Sequence, residues 1–392
     1  MTKPGYKMTE IGELPEEWEV VEIGDNKVSE LVMGQSPPSS SYNASGNGIP
    51  FLQGNADFGE IIPSPSIYCT KPLKLAEKGD ILLSVRAPVG ELNIAAFKCV
   101  IGRGLAAIRC NDKKTHYKYL YYYLKYSVNR LRSLSTGSTF KAVGKEILSH
   151  FEICLPDFEE QEKIAEILST ADETIQKVNE EITLTEKLKK GLMQTLLTKG
   201  IGHTKFKMTE IGEIPEEWGA KELKEIANIE YGKANPKSSG KIPIVGSSGI
   251  FGYTSKSLIE TPTIVIGRKG TAGGLIYMDA PCWPSDTTFY LKYKIYVIQK
   301  YLFEYMSLHR LSGNKAKTTL PSIQRSELES YKLAIPPFPE QQKIAEILST
   351  VDQKLELLRN KKTHLGELKK GMMEDLLTGR VRVKIATSKG EN

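Results

Sequence analysis

Apolar positions recur with a helical period in two long stretches of the chain. The steps alternate between three and four residues, which is the spacing of a heptad seam. The first seam contains Ile164, Leu168, Ile175, Val178 and Ile182, and the second contains Ile344, Leu348, Val351, Leu355 and Leu358. The pattern weakens at Thr185 and Lys362 and is expected to continue through Leu188 and Leu368. It predicts two helices of about 38 residues, each roughly 57 Å long.

Residues at the ends of these stretches favour the start and the end of a helix. Asp157 and Glu160 form an Asp-x-x-Glu pair that suits a capping box, and Pro337 suits a first helical turn. Gly200 and Gly379 are placed to end the two helices.

Each predicted helix needs a partner, because an isolated helix with one apolar stripe is marginally stable in water. The obvious partner is the other helix. A chain built from two equal halves favours a two-fold arrangement, which makes the pair an antiparallel coiled coil. The alternative is that each helix packs only on its own globular block.

Near-identical segments show that the whole chain is written twice. KMTEIGELPEEW at 7–18 returns at 207–218 with Ile214 in place of Leu14, and FEEQEKIAEILSTAD at 158–172 returns as FPEQQKIAEILSTVD at 338–352. The predicted segments are an N-terminal repeated segment (1–19), a first block (20–155), a first long helix (156–199), a second repeated segment (200–219), a second block (220–335), a second long helix (336–380) and a tail (381–392).

The two blocks between the repeats have the pattern of short β-strands. Apolar runs at 49–59, 79–90 and 93–110, and at 241–253, 262–274 and 286–293, are cut by Gly, Pro, Asn and Asp. Each block then contains one stretch that predicts a helix, at 116–131 and at 295–311. The predicted fold class is therefore α+β, with two β-rich domains and flanking helices joined by the long helices in a pseudo-two-fold repeat.

Charge divides along the same boundaries. Residues 20–150 contain 16 Lys and Arg against 10 Asp and Glu, and residues 220–334 contain 16 against 9, although the net charge of the chain is only +6. Two basic blocks between acidic repeats point to two surfaces for a polyanion. The alternative for either block alone is a solvated surface of mixed charge.

Motifs for catalysis, secretion and disulfides are missing from the sequence. It contains no GxxxxGK[ST] loop, no GxGxxG, no HExxH and no long apolar span or signal peptide, so a cytoplasmic protein is expected. The five scattered cysteines are expected to be free thiols, and no metal site is predicted. AIPPF at 334–338 lacks the Asn of an adenine methyltransferase motif, and PDFEEQEK at 156–163 lacks the spacing of a PD…ExK nuclease.

The doubled order of these motifs resembles the specificity subunit of type I restriction–modification systems. The resemblance is carried by PEEW, a variable block and P-x-F-x-EQ-x-KIAEIL followed by a long helix, all twice, and by GSTFKAVGKEIL (137–148) and TIVIGRKGTAGG (263–274). It covers roughly residues 6–380. It implies that each block is a target recognition domain that reads half of a split sequence in double-stranded DNA, and that the coiled coil spaces the two.

The resemblance also implies partners and excludes catalysis by this chain alone. Two methylation (M) subunits would carry S-adenosylmethionine and methylate adenine, and restriction (R) subunits would supply ATP- and Mg-dependent functions. No cofactor is expected in this chain. The rival hypotheses are a stand-alone DNA methyltransferase or nuclease, and a coiled-coil protein-interaction scaffold without DNA readout. A salt-dependent DNA gel shift separates the scaffold from a DNA reader.

Candidate DNA-binding residues follow from side chains that suit phosphates and base edges near Gly-rich turns. In the first block they are Gln53, Asn55, Ser84, Arg86, Arg103, Ser138, Thr139 and Lys141, and in the second they are Ser247, Ser248, Arg268, Lys269, Lys317 and Thr318. The bases that they read do not follow from the sequence, and neither does the length of the gap between the half-sites.

The repeated KMTEIGELPEEW segment is predicted to join each block to a helix end. Trp18 and Trp218 are expected to be buried in equivalent settings. Because nothing precedes the first copy, we expect it to dock near the end of the second helix, around 376–380.

Overall fold

The computed structural model describes residues 3–135, 142–309 and 322–383. The chain divides into two compact units. The first unit comprises the residues up to Val178 together with those from Lys361 onward, and the second runs from Asn179 to Asn360. Each unit mixes strands and helices, as the sequence predicted, and each includes part of both long helices.

The first unit contains thirteen strands and three short helices in its described residues. The strands are β1 (Tyr6–Thr9), β2 (Gly12–Pro15), β3 (Glu19–Glu22), β4 (Ser29–Met33), β5 (Tyr42–Asn43), β6 (Ile49–Leu52), β7 (Ile67–Cys69), β8 (Leu75–Ala76), β9 (Ile81–Ser84), β10 (Leu92–Ile94), β11 (Cys99–Ile101), β12 (Leu105–Cys110) and β13 (Glu152–Leu155). The helices are α1 (Tyr117–Tyr126), α2 (Val128–Ser133) and α3 (Lys145–Ser149), and the long helix α4 (Phe158–Leu196) continues into the second unit.

The second unit repeats this order with fewer strands. They are β14 (Phe206–Thr209), β15 (Gly212–Pro215), β16 (Gly219–Glu222), β17 (Ala227–Tyr231), β18 (Ile242–Gly246), β19 (Gly249–Thr254), β20 (Thr263–Gly267), β21 (Leu275–Met278), β22 (Trp283–Pro284), β23 (Thr288–Tyr293) and β24 (Lys332–Ile335). The helices are α5 (Leu223–Ile226), α6 (Gln299–Leu308), α7 (Arg325–Glu329) and the long helix α8 (Phe338–Leu377).

A four-stranded antiparallel sheet, in the order β10-β9-β12-β4, separates two cores in the first unit. Side chains alternate across a strand, so Ile81 and Leu83 face the core shared with the helices, whereas Leu82 faces the core beneath the second sheet. That second sheet has the order β5-β7-β6-β11-β8, with β6 and β11 parallel. The four-stranded sheet is buried on both faces, which explains why its central strands β9 and β12 are almost continuously apolar.

The second unit has the same layers. Its four-stranded sheet has the order β17-β23-β20-β21, and a smaller sheet has the order β19-β18-β22, with β18 and β22 parallel. Ile264 and Ile266 face the core shared with the helices, and Val265 faces the other core. The same strand pattern therefore builds the same layers in two blocks whose residues differ.

The long helices run antiparallel within each unit. The core of the first unit contains Ile164 and Leu168 from the start of α4 together with Leu377 from the end of α8. The core of the second unit contains Leu196 from the end of α4 together with Ile344 from the start of α8. The alternative, in which each helix packs only on its own block, is wrong because each core includes residues of both helices.

Most of the predicted seam positions are shielded from solvent. Ile164, Leu168, Val178, Ile182, Ile344, Leu348, Leu355 and Leu358 are buried, and Ile175 and Val351 are half-buried. The expected continuation through Leu188 and Leu368 is wrong, since both side chains are exposed. Steps of three and four from Ile182 lead instead through Thr185 to Lys189 on α4, and Lys369 is the buried position on α8. The helical period therefore continues through polar residues.

Both copies of the repeated segment bury their tryptophan in the same way. Trp18 donates from Nε1 to Glu160 at 3.0 Å, and Trp218 donates from Nε1 to Glu340 at 2.9 Å. Trp18 is 1% exposed and Trp218 is fully buried, so the prediction of equivalent settings is confirmed. The predicted capping box forms only in part. The Asp157 side chain accepts from the Glu160 N–H at 2.8 Å, but the Glu160 carboxylate faces Trp18.

The first copy docks at the end of α8, as predicted. The Tyr6 hydroxyl donates to the Gly379 carbonyl at 2.7 Å, and Gly379 has the positive φ of a residue that ends a helix. Arg382 donates to both carboxylate oxygens of Glu160, at 2.8 and 2.9 Å. In the second unit the chain is continuous at this place, and His203 contacts Glu340 at 2.9 Å instead.

Candidate nucleic-acid interface

Four segments of the first unit meet beyond the ends of its central strands. We call residues 34–36, 53–55, 85–88 and 102–104 the first turn cluster. The Gln53 backbone lies so close to Gly102 and Gly104 that a Cβ on either glycine would come within 2.9 or 3.1 Å of the Gln53 carbonyl oxygen. The Arg103 N–H donates to the Ser36 hydroxyl at 3.2 Å. Residues far apart in sequence thus present their side chains together.

The corresponding segments of the second unit also meet. We call residues 232–233, 246–248, 267–274 and 284–287 the second turn cluster. A Cβ on Gly267 would lie 3.1 Å from the Ser247 Cβ, and one on Gly270 would lie 3.4 Å from the Ser247 hydroxyl. The Arg268 N–H donates to the Thr287 carbonyl at 2.9 Å. The turn after β18 therefore packs on the Gly-rich loop after β20.

Six backbone hydrogen bonds have the same pattern in the two clusters. All of these bonds are between 2.8 and 3.1 Å long. Each bond of the first cluster is given with its match in the second, and the residue that donates its N–H stands before the residue whose carbonyl accepts: Gly34–Leu105 and Gly232–Thr288, Gln35–Ile101 and Lys233–Pro284, Gly102–Leu52 and Ser285–Val245, Leu105–Gly102 and Thr288–Ser285, Val85–Gly104 and Arg268–Thr287, and Val143–Val85 and Ile323–Arg268. The positions that these bonds join therefore correspond between the two clusters, although the side chains differ.

A glycine is required at one matched position of this frame. A Cβ on Gly34 would lie 2.2 Å from the Gly102 carbonyl oxygen, and a Cβ on Gly232 would lie 2.0 Å from the Ser285 carbonyl oxygen. Neither glycine has a positive φ, so the requirement is close backbone approach. Both clusters keep this residue while their exposed side chains diverge.

The first turn cluster brings together four candidate residues of the first block. Gln53, Arg86 and Arg103 are exposed, and Asn55 is half-buried beside them. Ser84 is a wrong prediction. It is 1% exposed, its hydroxyl donates to the Pro88 carbonyl at 2.7 Å, and it accepts from the Glu91 N–H at 2.8 Å. Its hydroxyl closes the turn and cannot reach a base edge.

The second turn cluster brings together four candidate residues of the second block. Ser248 and Lys269 are exposed, and Ser247 and Arg268 are half-buried. The Arg268 guanidinium lies 5.4 Å from the centre of the Tyr231 ring and donates to the Asp286 carbonyl at 2.7 Å. These contacts fix its position, so its reach beyond the cluster is short. Ser138, Thr139, Lys141, Lys317 and Thr318 lie outside the described residues.

Sequence reasoning missed three exposed polar residues at matched positions, which are Gln35, Lys233 and Asp286. Lys233 stands where the first cluster has Gln35, and Asp286 stands where it has Arg103. The two blocks differ in loop length, so the numbering offset between counterparts varies along the chain. Gly34 and Gly232 are 198 positions apart, but Leu105 and Thr288 are 183 apart, and no single alignment offset reveals the pairs.

None of the cysteine side chains is exposed. All five cysteines are free, and burial raises the pKa of the Cys154 thiol to about 11 and that of Cys99 to about 12. Both thiols are therefore protonated and unreactive near neutral pH. In the described ranges, no three His, Cys, Asp or Glu side chains lie together as a metal ion would require. None of the helices in those ranges combines the length and apolar content needed to cross a bilayer.

The fold and the two clusters define a class of protein. Each unit places Arg and Lys on close-packed backbone turns, where cationic side chains and exposed amide groups suit phosphates and base edges. The frame is the same in both units and the exposed side chains differ. This combination is that of a bipartite DNA-recognition protein.

The chain belongs to the family described as the type I restriction modification DNA specificity domain, whose sequence model matches residues 15–186 and 215–367. It is a DNA specificity subunit of a type I restriction–modification system. It is similar to the type I restriction enzyme MjaVIII specificity subunit of Methanocaldococcus jannaschii, with 31% identity over 405 residues that cover 95% of this chain and 94% of that protein. The MjaX specificity subunit of the same organism is 51% identical over 193 residues, which cover 49% of this chain and 45% of that protein.

Solved structures show the same fold. The S subunit of a type I restriction–modification system from M. genitalium superposes with a TM-score of 0.65 at 20% identity, over 96% of this chain and 99% of that one. A chain from a structural study of complex assembly and conformational transition in the type I system superposes with a TM-score of 0.55 at 17% identity, over 94% of this chain and 99% of that one.

Proposed function

We propose that each turn cluster reads one half of a split DNA sequence. The observation that carries this proposal is the set of six matched backbone hydrogen bonds that hold different exposed side chains in one frame. A single mode of docking on a duplex then serves both units, and base identity depends on the side chains. Arg103 is suited to guanine and Gln53 to adenine, while Lys269 and Arg86 are suited to phosphates.

The paired helices are proposed to set the gap between the two half-sites. Two ion pairs that are largely shielded from solvent join α4 and α8. Asp172 pairs with Lys369 in the first unit, and Lys189 pairs with Asp352 at 2.6 Å in the second. Asp172 precedes Lys189 by the same 17 positions that separate Asp352 from Lys369, so both pairs belong to one antiparallel register.

Other subunits would catalyse the reactions at the DNA sequence that this chain recognises. Membership of the family implies assembly with other subunits of the system. We propose two methylation subunits, which carry S-adenosylmethionine, and restriction subunits, which use ATP and Mg, with no cofactor and no catalytic residue in this chain.

A matched deletion in both helices tests the spacing. Removal of residues 176–182 and 359–365 takes one heptad from each helix and leaves both ion pairs in place. Each helix shortens by about 10 Å, which is roughly 3 bp of duplex. Genome-wide mapping of adenine methylation in the source strain is expected to show the same half-sites with a gap shorter by about 3 bp.

The controls separate spacing from folding. Deletion from α4 alone breaks the register of the two ion pairs and is expected to abolish methylation. An unchanged gap in the matched deletion would show that the helices do not set it. A methylation pattern that does not depend on this chain at all would refute the proposed function.

A further inference from the structure

We propose that Asp286 is a base-reading residue of the second unit, whose carboxylate accepts a hydrogen bond from the exocyclic amino group of a cytosine in the major groove. It occupies the position that Arg103 occupies in the first unit. The inference rests on the proposed function and adds to it a residue and the base that it selects.

The matched hydrogen bonds place Asp286 and Arg103 at the same position of the same turn. Leu105 donates to the Gly102 carbonyl at 3.0 Å, and Thr288 donates to the Ser285 carbonyl at 3.0 Å. Each bond closes a four-residue β-turn of which Arg103 or Asp286 is the second residue. The side chain at that position projects away from the turn, and both side chains are exposed.

The other polar side chains of the second turn are already paired. The Ser285 and Thr287 hydroxyls are 2.8 Å apart, and the Thr288 hydroxyl donates to the Ser285 carbonyl at 2.8 Å. Arg268 donates to the Asp286 main-chain carbonyl rather than to its carboxylate. Within the described ranges, the Asp286 carboxylate has no ion pair and no side-chain hydrogen bond. It is therefore the polar group of this turn that is available to a ligand.

Charge decides what that ligand is. A carboxylate beside phosphates is repelled, so an acidic residue in a cationic cluster is favourable only opposite a hydrogen-bond donor. The major groove offers such donors as the amino groups of cytosine and adenine. Adenine carries the acceptor N7 beside its amino group, which repels a carboxylate, whereas the cytosine amino group is read by Asp or Glu. Asp286 therefore selects cytosine where Arg103 selects guanine.

The main test is the Asp286→Ala variant in the source strain, compared with the unmodified chain by genome-wide mapping of adenine methylation. One G·C base pair of one half-site is expected to lose its stringency. Preference for it over the other pairs should fall about tenfold or more, while the other half-site stays unchanged. Arg103→Ala is expected to relax one base pair of the opposite half-site.

Asp279 supplies the matched control. It is an exposed aspartate of the same unit that follows β21, at the end of the β20–β21 hairpin where Thr263 pairs with Met278. The Gly-rich loop lies at the other end of that hairpin, where Ile266 pairs with Leu275. Asp279→Ala removes the same charge away from the turn cluster and should leave the methylated sequence unchanged.

The outcomes are distinguishable. Unchanged stringency in Asp286→Ala, or relaxation at an A·T pair, would overturn the role of Asp286. Asp286→Asn keeps one acceptor oxygen and should retain part of the cytosine preference. Loss of all methylation in both Asp286 variants, with the melting temperature of the unmodified complex, would also overturn it. Methylation that persists in a strain without this chain would instead defeat the proposed function itself.

Discussion

The buried pair formed by Asp172 and Lys369 makes a strong prediction about stability. Their side chains are 15% and 9% exposed, and the Tyr122 hydroxyl donates to the Asp172 carboxylate at 2.8 Å. Replacement of Asp172 by Ala leaves the Lys369 ammonium buried without its partner. Breaking a buried pair in this way costs about 3–5 kcal/mol. Asp172→Ala is therefore expected to lower the free energy of unfolding of the first unit by that amount.

An exposed pair in the same helices is the comparison. Glu181 and Lys354 are 3.0 Å apart, but their side chains are 46% and 56% exposed, so Glu181→Ala should cost about 0–1 kcal/mol. Urea unfolding of the purified complex measures the loss of unfolding free energy in each variant. Hydrogen exchange then shows in which unit the loss occurs. If Asp172→Ala costs no more than Glu181→Ala, the desolvation argument is refuted. Replacement of both Asp172 and Lys369 by apolar residues should recover most of the loss.

The same pair gives a pH dependence with a definite sign. Burial lowers the pKa of Lys369, and the contact with Asp172 opposes that shift. Asp172→Asn removes the opposition, so the folded-state pKa falls further below the ordinary lysine value of about 10.4. A lysine with a lowered folded-state pKa costs stability at low pH and costs less as the pH rises toward its unfolded value. The deficit of Asp172→Asn relative to the unmodified chain should therefore shrink as the pH rises toward about 10, and a constant deficit would contradict this account.

Two further predictions concern the backbone frame and the junctions. Gly34→Ala and Gly232→Ala each force a Cβ into a carbonyl oxygen, so each should reduce methylation through loss of DNA binding. Gly191→Ala, on α4 outside both turn clusters, adds a Cβ that would meet nothing within 4 Å and should have no effect on binding; a gel shift on target duplex checks all three. Trp18→Phe and Trp218→Phe each remove one hydrogen-bond donor from a buried carboxylate. Each should lower the free energy of unfolding by about 1–3 kcal/mol, measured by thermal unfolding. An unchanged stability would mean that the indole N–H contributes nothing to the junction.

Much of the architecture was predictable because it is written as periodicity and repetition. The steps of Ile164 to Ile182 gave a helix and its buried face, and the repeat of KMTEIGELPEEW gave the buried tryptophans. Leu188 was misplaced because sequence reasoning expects an apolar residue to be the buried one, whereas Lys189 is the half-buried position and is paired with Asp352.

The candidate interface was predictable only in part. Arg86 and Arg103 were predicted because cationic side chains near glycines suit DNA; the structure places both, exposed, in one cluster, and their contact with DNA stays a prediction. Ser84 was misassigned because a serine that closes a turn and a serine that contacts a ligand look alike in sequence. Asp286 was missed because its counterpart in the first unit becomes visible only through shared backbone hydrogen bonds.

The matched backbone of the two turn clusters has a consequence for how such a protein acquires a new target. The exposed residues at the turns contribute little to the hydrophobic cores, and the glycine that permits the close approach is kept in both copies. Exchange of a few of these outward side chains costs almost nothing in folding free energy, because surface substitutions away from buried features change stability by only about 0.5 kcal/mol. A change in the recognised DNA sequence therefore carries little risk of misfolding, and each unit can change its target without a change in the other.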